Sequence, residues 1–189
     1  MAKTSVTAVV DAIASISAGA MRVGTEYSLS DSYAHTLGIY LVPVTGVTGA
    51  KIVIQLKMGT NKFIDHQTIQ LGTISVPVDD TLNGTVSAAD TTVTLTTGGT
   101  AIDDIAELWF IDLDTNPEIC RTKSISGKII TLVDPLLLDH ANGSLIYAGV
   151  EEWTYELPLE ATACRIIYVD EDATHQIFAG ADITKVTSV

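Results

Sequence analysis

Apolar and polar residues alternate with a period of two along much of this 189-residue chain. In Lys51-Ile52-Val53-Ile54-Gln55-Leu56-Lys57-Met58, the residues Ile52, Ile54, Leu56 and Met58 fall on one face. Lys51, Gln55 and Lys57 fall on the other. A half-buried antiparallel strand produces this period. Trp153, Tyr155 and Leu157 alternate in the same way with Glu152, Thr154 and Glu156. Val, Ile and Thr are abundant, and Gly, Asn and Asp recur at short intervals, which is the pattern of an all-β sandwich or barrel. Strands are predicted over residues 36–44, 50–58, 62–71, 91–97, 106–113, 119–125 and 128–133. Four more are predicted over 152–159, 163–169, 175–179 and 182–186. Near the N-terminus, Val6, Val9, Val10, Ile13 and Ile16 fit a helical stripe. The β-branched residues and serines there disfavour an isolated helix, so a strand is expected near 5–14. Whether residues 1–20 form an ordered strand or an arm that folds on a neighbour stays open.

The turn signals divide the chain. Asp79-Asp80-Thr81-Leu82-Asn83-Gly84 opens a segment with its own strand set, which closes near Ala148-Gly149. The expected organisation is a discontinuous β-sandwich, 1–81 with 150–189, and a small β-barrel inserted at 82–149. Insertions of this kind succeed at exposed loop tips. Charge does not separate the two parts. The insert holds three basic and nine acidic residues, a charge of −6, and the frame carries the remaining −7 of the total −13.

That acidity changes the choice of partners. A chain at −13 repels phosphate backbones and anionic lipid, and its ten Lys and Arg form no run, so neither nucleic acid nor membrane is expected as a direct partner. Charged residues are only 17% against 47% hydrophobic, which fits a folded chain that covers surface with neighbours. The opening MAKTSVTAVVDAIASISAGAMRVG has no continuous apolar region, so no secretory leader is expected. Cys120 and Cys164 stand apart, in no metal-binding pattern, and are read as buried free thiols.

The candidate chemistry is sparse. Asp112-Leu113-Asp114-Thr115-Asn116 opens like a calcium loop, but Pro117 stands where a glycine is needed and Lys123 where a glutamate is needed. The segment is read as a surface turn, with a weak cation site at Asp112, Asp114 and Asn116 as the alternative. Asp170-Glu171-Asp172 is read as a solvated hairpin tip. His35, His66, His140 and His175 show no metal-ligand spacing, and no nucleophile elbow, P-loop or dinucleotide fingerprint occurs. No enzyme, cofactor, catalytic residue or metal is therefore expected. Asn83-Gly84 and Asn142-Gly143 are read as turns. Trp153 and Tyr155 share one strand face and are read as core, with a binding platform or subunit contact as the alternative.

One stretch carries a resemblance. It includes Ala88-Ala89-Asp90-Thr91-Thr92-Val93-Thr94-Leu95, then Ala106-Glu107-Leu108-Trp109-Phe110-Ile111. It continues Glu118-Ile119-Cys120-Arg121-Thr122-Lys123-Ser124-Ile125-Ser126-Gly127-Lys128-Ile129-Ile130-Thr131-Leu132 and ends Asp134-Pro135-Leu136-Leu137-Leu138-Asp139-His140-Ala141-Asn142-Gly143. This resembles the small SH3-like β-barrel modules of phage structural proteins. Those share a "TTLTV" strand, a "V-x-S-V-S-G-x-x-L-T-L" hairpin and a "PL-x-x-x-H-xx-G" turn. Here Ser126-Gly127 is expected to make the hairpin turn and His140 to cap or hydrogen-bond the last turn. The outer parts are similar, more loosely, to phage sandwich proteins.

The resemblance implies a tailed-bacteriophage virion structural or accessory protein. A capsid decoration (cement) protein is the expected form, with a neck or tail component and a carbohydrate-binding module of a host-adhesion device as alternatives. It implies the major capsid protein or other virion subunits as partners, a homo-oligomer, and residence in the virion after synthesis in the host cytoplasm. Trp109 and Phe110, bulkier than the usual aliphatic pair, stand with Trp153 and Tyr155 as possible interface anchors.

Overall fold

The structure is a computed structural model, which describes residues 3–30, 34–43, 46–59, 61–73, 79–98, 108–111, 116–148 and 151–188. The described residues form fifteen strands and no helix, and every strand pairing is antiparallel. The chain divides into two compact units, Met1–Ser75 with Glu151–Val189, and Val76–Val150.

The first unit is a sandwich of two sheets. One has the order β1 (Lys3–Ile16), β15 (Ile177–Ser188), β4 (Ala34–Pro43), β13 (Glu151–Leu157). The other has the order β2 (Met21–Val23), β14 (Ala163–Asp170), β5 (Ala50–Lys57), β6 (Ile64–Leu71), with β3 (Tyr27–Ser28) also on β14. The period-two pattern becomes the core directly. Ile52, Ile54 and Leu56 of β5 are fully buried, and Leu37, Ile39 and Leu41 of β4 face them in the same cluster. Ile166 and Tyr168 of β14 complete it beside Ile183 of β15. Each such side chain contributes about 1.5–3 kcal/mol by leaving water.

The N-terminal stretch is a strand, longer than expected. It runs antiparallel to β15 from Lys3↔Ser188 to Ile16↔Ile177, with irregularities between Val9 and Asp11 and between Asp11 and Ala14. The expectation of two strands over 175–179 and 182–186 is corrected: β15 is continuous. Gly180 falls between the two predicted strands, and it marks a close approach. A Cβ at Gly180 would stand 2.7 Å from Ile13 Cγ1 and 3.0 Å from its Cα. The strand keeps its ladder and omits a side chain where its neighbour crowds in.

The second unit is one six-stranded sheet. Its order is β7 (Asp79–Thr81), β12 (Leu145–Ala148), β9 (Leu108–Ile111), β10 (Glu118–Ser126), β11 (Ile129–Leu132), β8 (Thr92–Thr94). The two ends of that order meet. Leu82, just past β7, bridges Leu95, just past β8. Thr96 N–H donates to Thr81 O at 2.9 Å, and Asn83 N–H donates to Thr94 O at 2.8 Å. The sheet thus closes on itself around Leu82, Val93, Leu95, Ile130, Leu132 and Ile146. Closure removes the free edges of the sheet. The β10–β11 turn lies at Gly127-Lys128, one residue later than expected, because Ser126 pairs with Ile129. Gly127 takes φ +60° there, which suits the first position of a two-residue hairpin turn.

Candidate functional site

The polar groups that sequence offers as chemistry are gathered into a few buried centres. In the first unit the centre is Asp172, which is only 2% exposed. Its Oδ1 accepts the N–H of Thr174 at 2.7 Å, the Thr174 hydroxyl at 2.7 Å and the N–H of His175 at 3.0 Å. Its Oδ2 accepts the N–H of Thr48 at 2.8 Å and the Thr48 hydroxyl at 3.1 Å. Asp-x-Thr is a local turn former, since the carboxylate reaches the amide two residues on. Here the same carboxylate also ties down a loop 124 residues away in sequence. The solvated hairpin tip expected at Asp170-Glu171-Asp172 is corrected accordingly. Asp170 and Asp172 are both buried, and Glu171 alone is exposed.

The two aspartates differ in charge preference. The Thr174 hydroxyl and the amides of Thr174 and Thr48 hold the Asp172 carboxyl far below the usual carboxylate range. Burial pushes the Asp170 carboxyl up. One Asp170 oxygen accepts the Asp172 N–H at 2.9 Å, and the other has no hydrogen-bond partner among the described residues. The sign for Asp172 follows from linkage. A carboxyl depressed in the folded state adds stability that is full above the unfolded value near 4 and is lost as pH falls through the folded value. Stability of the sandwich is therefore expected to fall on acidification below about pH 4. In Asp172→Asn, which cannot ionise, the fall is expected to be smaller. Urea midpoints from pH 7 down to pH 2.5 check this: a constant gap between protein and variant would show that Asp172 contributes nothing to the pH dependence.

A second tie in this unit joins β1, β2, β14 and β15. Arg22 donates to Asp11 Oδ2 at 3.1 Å and to the Ala179 carbonyl at 2.7 Å, and its guanidinium lies 4.6 Å from the centre of the Tyr168 ring.

The second unit has two such centres. Glu118 accepts the N–H of Leu137 at 2.7 Å and of Leu138 at 3.2 Å, and His140 Nε2–H donates to it at 3.1 Å. Both side chains are buried. The expected partner of His140 was the Asn142-Gly143 turn; the structure shows its ring bonded to Glu118 of β10. Asp80 accepts the amides of Thr81, Thr97 and Gly98 at 2.7, 3.1 and 2.9 Å. Burial works to raise its carboxyl, but the amide donors of Thr81, Gly98 and Thr97 bring it below the usual range. Sequence placed Asp80 only within a turn signal and Glu118 only within the resembling stretch, and neither as the centre of a hydrogen-bond network.

The remaining sequence candidates are placed as follows. Trp153 and Tyr155 sit on β13, half-buried and packed against the sandwich core. Trp109 and Phe110 lie on β9, an inner strand that pairs with β10 on one side and β12 on the other. Their side chains, like Asp112 and Asp114 of the candidate cation loop, lie outside the described residues. Asn116 is described, and its side-chain amide donates to the Asp139 carbonyl at 3.1 Å. Among the described residues no three His, Cys, Asp or Glu converge as metal ligands would. Cys120 and Cys164 are buried free thiols, and burial pushes Cys164 up to about 12.

No protein-family model matches the chain, and no curated protein does. Solved structures with some likeness include VP17, a capsid protein of bacteriophage P23-77, 10% identical over 100% of both chains with a TM-score of 0.19. The VP16–VP17 complex of the two major capsid proteins of bacteriophage P23-77 is 10% identical over 98% of both chains, with a TM-score of 0.23. Infectious bursal disease virus, Gx strain, is 11% identical over 97% of this chain and 40% of the viral chain, with a TM-score of 0.25. These are viral proteins, but at such TM-scores the likeness carries no argument.

Proposed function

We propose that this chain is a non-enzymatic structural protein of a tailed-phage virion, a capsid decoration protein. The observation that carries the reading is the use made of the polar groups. Asp172, Glu118 and Asp80 are each occupied by the chain's own amides and hydroxyls, so these centres hold loops in place and present no open reactive group. The sequence resemblance of the inserted stretch to phage barrel modules supports the same reading. In it the second unit is an SH3-like module inserted into the sandwich, and Trp109, Phe110, Trp153 and Tyr155 anchor contacts with the major capsid protein or other virion subunits. Many small contacts repeated over a particle reinforce it through avidity, not through chemistry. A carbohydrate-binding module needs a broad, fully exposed aromatic face; Trp153 and Tyr155 are half-buried against the core, which leaves an edge of each for a subunit contact but no stacking platform.

The test is gold labelling of intact parent particles with an antibody to the purified protein. Label over the head is the expected result. Label confined to the neck or tail would replace decoration by a connector role, and unlabelled particles would overturn the virion reading.

A further inference from the structure

Strand β1 is an edge of the four-stranded sheet, and among the described residues nothing pairs with its outer side. At fourteen residues it is also long for an edge. Exposed edges are normally protected by shortness, charge, proline or bulges, because a row of unpaired amides and carbonyls is a template for another strand. The opposite edge of the same sheet shows such protection. On β13, Glu151, Glu152 and Glu156 are all exposed. On β1 the second half is protected by its two irregularities, which twist the strand away from flat pairing.

The first half has no such device. The ladder to β15 is unbroken from Lys3↔Ser188 to Val9↔Asp182. Residues 4–9 read Thr-Ser-Val-Thr-Ala-Val, without a charge, in a chain of net charge −13. Val6 is 51% exposed and Val9 68% exposed.

We propose that residues 4–8 of β1 form a self-association surface, pairing antiparallel with the same segment of a second copy so that Val6 stands opposite Val6. The two four-stranded sheets would then run on as one sheet across a two-fold axis. Charge selects this occupant. Two acidic copies repel each other, and the repulsion is least where neither presents a carboxylate. Meeting through β13 would instead set glutamates against glutamates, which destabilises cross-strand pairs. A basic partner would find nothing on residues 4–8 to attract it. The inference does not depend on the virion reading, since it concerns the isolated protein.

The experiment is sedimentation velocity of the full chain over a range of micromolar concentrations, with Val6→Lys and Val6→Glu variants. The native chain is expected to dimerise. Each variant alone is expected to dissociate at least about tenfold more readily, a difference of about 1.4 kcal/mol. An equimolar mixture of the two variants is expected to recover the dimer, because lysine then faces glutamate across the axis. That recovery cannot arise from misfolding. A native chain that stays monomeric would overturn the proposal, as would variants that dimerise as well as the native chain or a mixture that stays dissociated. Should either variant fail to fold, amide exchange on the native chain decides: protection of the outward β1 amides must rise with concentration, and its absence overturns the proposal.

Discussion

Replacing Glu118 by alanine is expected to destabilise the second unit by about 3–5 kcal/mol, the usual cost of breaking a buried, hydrogen-bonded ionisable pair from one side. The change strands two backbone amides, of Leu137 and Leu138, and the His140 ring in a buried site. Each buried group left unsatisfied costs about 1–3 kcal/mol. Against a total stability of about 5–15 kcal/mol for a small domain, such a loss leaves the unit near unfolding. Glu118→Gln, which keeps an acceptor oxygen, is expected to lose less. The chain carries its own reporters, since Trp109 belongs to the second unit and Trp153 to the first. With Trp153 changed to Phe, urea unfolding followed by Trp109 emission should shift to lower urea in Glu118→Ala. With Trp109 changed to Phe instead, the Trp153 transition should stay where it was. Equal shifts in both signals would show that the two units unfold as one.

Tyr168→Ala is expected to do the reverse. Tyr168 is fully buried in the sandwich core, and truncating a buried aromatic costs about 3–5 kcal/mol, including the cavity left behind. The Arg22 guanidinium also loses the ring it lies over, and so loses an attraction that strengthens when water is excluded. The Trp153 transition should move and the Trp109 transition should not. A loss below about 1.5 kcal/mol, the range of well-tolerated core swaps, would mean that the neighbours collapse into the space.

Much of the strand structure was legible because side chains on a strand alternate faces. Ile52, Ile54 and Leu56 entered the core as their spacing required, and Met58 packs against it. The places where reading failed have physical causes. The break expected between residues 179 and 182 falls at Gly180, and a missing side chain has the same appearance in sequence whether the chain turns or a neighbour presses in. Asp170 and Asp172 looked solvated because three adjacent acids usually are. Asp172 is held by Thr48, among others, and that approach is created only by the tertiary fold. Glu118 and Asp80 were invisible as such centres for the same reason: their partners are backbone amides, which every residue has and no sequence pattern announces. Short strands such as β2 and β3 hold their places through pairing with β14, not through any pattern of their own.

The pairing of β7 with β12 has a consequence for how this chain can change. These are the first and last strands of the second unit, and they are direct neighbours, with Asp79 opposite Tyr147. Opposed residues in an antiparallel pair lie about 5 Å apart. The polypeptide therefore enters and leaves the barrel through a single narrow doorway, a gap that a two-residue turn can bridge. Because its ends lie side by side, the second unit could be exchanged for another segment with equally close ends without stretching the flanking chain.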